Sequence, residues 1–230
     1  MKTLAIIGGI GPESTIQYYR AVLSAYRNRL GTADAPSILI NSIDVNRLLA
    51  LAANDLNGLA RYLLAELERT AKAGATLGLL AANTPHVVFD DLARISPLPL
   101  VSIVEATCEA AVRRGLRRLG LLGTRFTMSG QFYRDVLSRR GIEVVAPSQG
   151  EQMFVHEKYT DELLHNVFTG DTRDAVLAVI DRLRERDGVD GVILGGTELP
   201  LLLNADEQHG VPLLDTARIH ADAAVDQLWL

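Results

Sequence analysis

The stretch LAIIGGIGPEST, residues 4–15, decides the fold. Its apolar residues run without alternation into Gly8, Gly9 and Gly11, and Pro12 follows where a helix would begin. A short unbroken apolar run suits a parallel strand covered on both faces, and proline suits a first helical turn because its missing N–H has no partner there anyway. The stretch therefore reads as strand, tight turn and helix.

The same alternation recurs along the chain. Strands are expected near Thr3–Ile7, Ser37–Asn41, Leu77–Ala81, Leu98–Ile103, Arg118–Leu122, Glu143–Val145, Gly191–Leu194 and Pro212–Leu214. Between them lie amphipathic stretches such as Pro12–Arg29, Leu56–Lys72, Val104–Arg114, Gln131–Arg140, Thr172–Arg186 and Thr216–Trp229, with Gly74, Gly115 and Gly141 placed as C-terminal stops. This is the pattern of an α/β protein with parallel sheets covered by helices.

Composition agrees. The chain has 230 residues, 48% hydrophobic and 22% charged, which fits one or two ordinary globular domains and excludes a disordered or fibrous chain. A net charge of −5 gives no reason to expect nucleic acid. The apolar run near the start is too short for a signal peptide, and no span reaches the ~20 apolar residues of a membrane helix, so a cytoplasmic protein without membrane contact is expected. The single cysteine, Cys108, leaves no intrachain disulfide and no thiolate metal cluster, so no metal is assigned.

The chain also repeats itself. Ile6-Ile7-Gly8 is echoed by Leu121-Leu122-Gly123, and the turn at Asn83-Thr84 by the turn at Gly196-Thr197. The 76 positions from 8 to 84 nearly equal the 74 from 123 to 197, which implies two similar halves. In open parallel sheets, ligands sit beyond the carboxyl ends of the strands, so the loops after these four strands are the candidate site.

Each loop also has a purely structural reading. GGIGPEST (Gly8–Thr15) lacks the third glycine and the acidic partner of a dinucleotide fingerprint and could be only a tight turn. AANTPH (Ala81–His86) could be a capped helix start, although an amide, a hydroxyl and a helix N-terminus are also what a carboxylate needs. His86 beside a strand end is either a structural histidine or an acid/base group.

The motifs GGIGPEST, AANTPH, LLGTRFTMSGQFY (Leu121–Tyr133), GGTELPLLL (Gly195–Leu203) and VPLLDTARIHA (Val211–Ala221), in that order, resemble the aspartate/glutamate racemase family, its aspartate racemase branch in particular. The resemblance runs from the first strand to the last helix. It implies two pseudo-symmetric parallel-sheet domains, residues 1–101 plus 208–230 and residues 102–207, with an interdomain cleft. It also implies a reaction without pyridoxal phosphate, metal or other cofactor, in which two cysteines exchange the α-proton of an amino acid. The positions matching those cysteines are Ala82 and Gly196, and neither side chain can carry a proton. Cys108 falls in an apolar-periodic helix and reads as a small core residue.

The residues around those positions do match. Gly9, Gly11, Asn83, Thr84, Thr124, Thr127 and Thr197 fall at the family's substrate-gripping positions, and Glu198 follows as in the family. Arg47 falls about where the branch places an arginine for a side-chain carboxylate, with Lys158 a nearby second cation. A small amino or dicarboxylic acid is the expected ligand. Three readings stay open: an ordinary two-base racemase; an enzyme of lyase, decarboxylase or isomerase type with another base, the candidates being His86, Glu198, Glu13, Asp44 and His156; and an inactive binding or regulatory protein. The leucine- and alanine-rich stretch Leu48–Gly74 suggests a homodimer if its apolar surface exceeds one buried face, and otherwise a well-buried helix.

Overall fold

In the computed structural model, which describes residues 2–31 and 33–229, the opening stretch forms β1 (Thr3–Gly8) followed by α1 (Pro12–Leu30). Leu4, Ala5, Ile6 and Ile7 are fully enclosed, as a strand covered on both faces requires. The chain continues through β2 (Ser37–Ser42), α2 (Val45–Asn54), α3 (Leu56–Lys72), β3 (Leu77–Leu80), a 3-10 turn at Thr84–Val88, α4 (Phe89–Ile95) and β4 (Leu100–Val101). These strands form a parallel sheet in the order β2-β1-β3-β4, with Ile7 paired to Leu80 so that the β1 and β3 loops emerge side by side.

The remaining elements are α5 (Ile103–Arg113), β5 (Arg118–Gly123), α6 (Arg125–Ser129), α7 (Phe132–Ser138), β6 (Glu143–Val145), α8 (Gln149–Asp161), a 3-10 turn at Leu163–His165, α9 (Gly170–Asp187), β7 (Gly191–Gly195), α10 (Leu199–Leu203), β8 (Glu207–Gln208), β9 (Val211–Asp215) and α11 (Thr216–Gln227). The second sheet runs β6-β5-β7-β9-β8, parallel except for the antiparallel edge pair β8–β9, and pairs Gly123 with Gly195. Leaving out the antiparallel edge strand β8, its four parallel strands repeat the order of the first sheet, second-first-third-fourth, so the echo in the sequence is an echo in topology.

The chain divides into two compact units, Met1–Ile103 with Ala217–Leu230, and Val104–Thr216. Pro212–Leu214 was expected with the first half, but β9 pairs with β7, so the chain leaves the second unit at Thr216 rather than at residue 207. In the first unit, one side of the sheet packs Leu59, Leu63 and Leu67 of α3 with Leu48 of α2; another cluster joins Leu4 and Ile6 to Tyr18 and Val22 of α1 and Ala221 and Val225 of α11. The second unit's largest core gathers Val155 and Tyr159 of α8, Ile180 and Leu183 of α9 and Leu199 of α10 against Leu122 and Leu194.

Local differences from the sequence reading have local causes. β4 is two residues long rather than Leu98–Ile103, because Pro97 and Pro99 have no N–H to give a ladder and the Ile103 N–H is bound by a histidine ring. The stretch Leu48–Gly74 is two helices, broken where Asp55 caps α3 by accepting from the Gly58 N–H at 2.8 Å. Leu59, Leu63 and Leu67 of that stretch are fully buried, whereas Leu49 and Leu56 remain 46% and 44% exposed. Gly74, Gly115 and Gly141 take positive φ past the ends of α3, α5 and α7, as C-terminal stops do. Among the described residues, no helix is long and apolar enough to cross a membrane.

Candidate functional site

The β1 loop is built on backbone geometry. Gly9 has φ of 82°, and a Cβ there would lie 2.6 Å from both backbone N and O of Ile43, so only glycine fits between β1 and the end of β2. The Gly9 N–H is bound by the Thr15 hydroxyl at 2.8 Å, reaching back from the first turn of α1. Gly11, φ 91°, caps α1 without a side chain, and Pro12 and Glu13 are exposed in the first turn. Glu13 is thus a surface carboxylate.

The β3 loop leaves the sheet at Ala81 and Ala82, which are 1% and 6% exposed, followed by buried Asn83 and half-buried Thr84. The Asn83 side chain does not cap the 3-10 turn, contrary to the capped-helix reading. His86 lies beneath the loop, 3% exposed. Its Nδ1 is 2.9 Å from the Ala82 carbonyl, and its Nε2 accepts from the Ile103 N–H at 3.1 Å. Accepting at Nε2 and facing a carbonyl at Nδ1 fixes one neutral tautomer, with the proton on Nδ1. Burial, with His220 close by, holds its pKa well below the usual histidine range. Both nitrogens are committed, so of the two readings of His86 the structural one fits: it is a brace between the Ala82 carbonyl and the Ile103 N–H at the start of α5.

His220 of α11 completes the brace. Its Nε2 donates to the Val101 carbonyl at 2.9 Å, its Nδ1 accepts from the Tyr18 hydroxyl at 2.9 Å, and burial lowers its pKa to about 4. The His86 and His220 rings meet edge to face, 5.8 Å between centroids.

Arg47 sits in the first turn of α2 with its guanidinium 4.6 Å from the Tyr62 ring centroid, a cation–π contact. It lines a groove of about 340 Å³ between α2 and α3 with Arg61, Arg69, Asp55 and Glu66. Asp44 is spent as the cap of α2, accepting from the N–H groups of Asn46 and Arg47 at 2.9 and 3.2 Å.

In the second unit, Thr124 caps α6, its hydroxyl accepting from the Thr127 N–H at 3.3 Å and lying 3.3 Å from the Thr127 hydroxyl. Thr127 is 1% exposed and packs against the strand ends, where a Cβ at Gly195 would fall 2.9 Å from its Cγ2. The β7 loop carries Gly196, Thr197 and Glu198, the last two 7% and 3% exposed.

Position 196 has no space for a side chain. A Cβ there would lie 2.3 Å from Cε2, 2.7 Å from Oη and 2.8 Å from Cζ of Tyr159. The Tyr159 ring from α8 fills that volume, and its hydroxyl donates to Glu198 Oε2, which also accepts from the Thr197 hydroxyl at 2.9 Å. Burial, reinforced by the Glu198 carboxylate, raises the Tyr159 pKa well above the ordinary phenol range, so the ring stays a neutral donor.

The sequence reading passed over Tyr159 and looked at its neighbour. Lys158 pairs with Glu162, just past the end of α8. The signal that could have found Tyr159 is the capping box of Ser148 and Glu151, which starts α8, the helix whose buried residues Val155 and Tyr159 stand one turn apart. His156, one turn before Tyr159, has an enclosed Nδ1 with no hydrogen-bond partner among the described residues, and burial and then Arg125 lower its pKa. Cys108 is 1% exposed on α5, and burial raises its pKa, so it stays a thiol.

Comparison with known proteins converges on one family. The pattern of the Asp/Glu/Hydantoin racemases matches residues 7–224. The chain is 38% identical to a candidate Asp/Glu racemase from Yersinia pestis, covering all of both chains with a TM-score of 0.90. It is 34% identical to an aspartate racemase homologue from Pyrococcus horikoshii OT3, again over both whole chains, with a TM-score of 0.87. It is 24% identical to the broad specificity amino-acid racemase RacX of Bacillus subtilis (strain 168), over 65% of this chain and 66% of that protein.

Proposed function

This chain belongs to the Asp/Glu/hydantoin racemase family, and on that premise we propose that it binds a small amino or dicarboxylic acid and moves the proton on its α-carbon with groups other than thiols. The observation that carries this reading is the β7 loop: a buried carboxylate, Glu198, holding two hydroxyl donors where the family resemblance places acid/base chemistry. Each unit by itself offers groups suited to a carboxylate: the first an amide and a hydroxyl, Asn83 and Thr84 beyond β3, and the second two hydroxyls, Thr124 and Thr127 beyond β5. The relatives named as racemases act on amino acids, which fits an isomerase-type proton transfer. A two-thiol mechanism has no residues to run on, since the one cysteine is a protonated core residue on α5.

The second reading is recognition of the same acid without turnover. It is favoured by the β3 loop, where Ala82 is inert and the His86 nitrogens are both engaged.

Proton NMR in D2O with L- and D-aspartate and glutamate separates the two. Loss of the α-proton signal supports proton transfer; line broadening without exchange means binding alone; neither effect, for any acid, refutes both.

A further inference from the structure

The family resemblance leaves the second unit's acid/base position empty, and the structure shows what occupies the space. We propose that Tyr159 is the proton-carrying residue of the β7 loop, backed by Glu198, in place of a side chain at position 196. The proposal rests on the reading above and names the group that performs it.

Three observations point the same way. The Tyr159 Oη lies 2.7 Å from where a Cβ of residue 196 would be, closer than any thiol on that Cβ could be tolerated, so the hydroxyl replaces the missing side chain in space rather than lying near it. The hydroxyl is not a bystander of packing, because it donates to a carboxylate that is itself 3% exposed and takes a second hydrogen bond from Thr197. A glycine at 196 is a requirement of this arrangement, since no φ in the left-handed region calls for glycine there and only the ring does.

The chemistry balances without an outside reagent. As the substrate's α-proton passes to the Tyr159 Oη, the phenol's own proton moves along its existing hydrogen bond to Glu198. The C–H electron pair stays on the substrate, delocalised into its carboxylate. The negative charge thus moves from Glu198 to the substrate while Tyr159 stays neutral throughout, as its environment favours. Return of a proton, or of a deuteron after exchange at Glu198, restores the starting state. Proton transfer through a hydroxyl steered by a neighbouring base is a general device for weak acids.

The test is α-proton exchange in D2O, followed by NMR on the full chain and on Tyr159→Phe and Glu198→Gln, with L- and D-aspartate and glutamate as probes. Phe keeps the ring and removes only the hydroxyl; Gln keeps an acceptor that cannot take the proton. The expected result is that each variant loses exchange at saturating acid by about 10²-fold or more, while the concentration for half-maximal line broadening changes little. A purely structural role would instead weaken binding and leave the saturated rate. Exchange at the unmodified rate in Tyr159→Phe would overturn the proposal and direct attention to His156; exchange at that rate in Glu198→Gln would overturn the relay. If the unmodified protein exchanges no α-proton of any probe, the functional reading itself fails and the relay with it.

Discussion

Replacing Gly196 by alanine adds one methyl group and should be far more damaging than its size suggests. The backbone at 196 lies outside the left-handed region, so the substitution carries no φ penalty, and fewer unfolded conformations would by themselves stabilise the fold by about 0.4–1 kcal/mol. Against that, the new Cβ falls within 2.8 Å of three Tyr159 atoms, a ring held by its core neighbours and by Glu198. Overpacking of this kind costs about 1–3 kcal/mol. If the ring turns away, its hydrogen bond to a charged group, worth about 1.5–3 kcal/mol, is lost as well. The net expectation is a loss of about 1.5–5.5 kcal/mol. Urea unfolding followed by circular dichroism measures it, and Tyr159→Leu supplies the control by deleting Cε2, Cζ and Oη, the atoms in the way. In that background Gly196→Ala should be neutral or mildly stabilising, giving a coupling of about 2–6 kcal/mol between the two sites. An equal effect of Gly196→Ala in both backgrounds, or one within about 0.5 kcal/mol of zero beside the intact tyrosine, would refute the claim that Tyr159 owns that space.

Other consequences are as specific. Putting cysteine at both 82 and 196 should add no racemisation beyond that of the unmodified protein while Tyr159 is intact, and chiral chromatography should detect a gain only once Tyr159→Leu is added; an equal gain without Leu would contradict the steric argument. His86→Ala should cost about 3–5 kcal/mol in urea unfolding, because it leaves a buried carbonyl and a buried N–H without partners and opens a cavity. Acid should weaken the fold well above the carboxylate range. His220 titrates at about 4 when folded and 6.5 when unfolded, so its contribution is complete above pH 6.5 and drains away towards pH 4, by about 3 kcal/mol in all, with His86 acting in the same direction. Urea midpoints at pH 7.5, 6 and 5 that do not fall would argue that these rings are protonated in the folded state. Gly9→Ala should destabilise by more than the usual 1–2 kcal/mol of a positive φ, since its Cβ also meets the Ile43 backbone; a change below 1 kcal/mol in the same assay would count against that geometry.

Much of this protein was written in local signals. Unbroken apolar runs ending in glycine named the central strands, and Pro12 and the helix-stopping glycines bounded several helices, because these rules act through the chain's own sterics and hydrogen bonds. The near-equal spacing of the loops foretold the repeated strand order for the same reason: each half is the same succession of local units. Short helices such as α6 and α10 were illegible, being five residues long and therefore less than two turns of pattern. α8 was missed because its sequence has no clear apolar face, and only its capping box announced it.

The site divides along the same line. By itself the sequence determined which loops carry the polar residues and that positions 82 and 196 hold nothing titratable. Only the tertiary structure decided what that emptiness means: His86 spends both ring nitrogens on backbone partners as far away in sequence as Ile103, and Tyr159, 37 residues before Gly196, fills the space a side chain there would take. Hydrogen-bond commitment and occupied volume are properties of neighbours in space, and a chain read in one dimension does not list its neighbours.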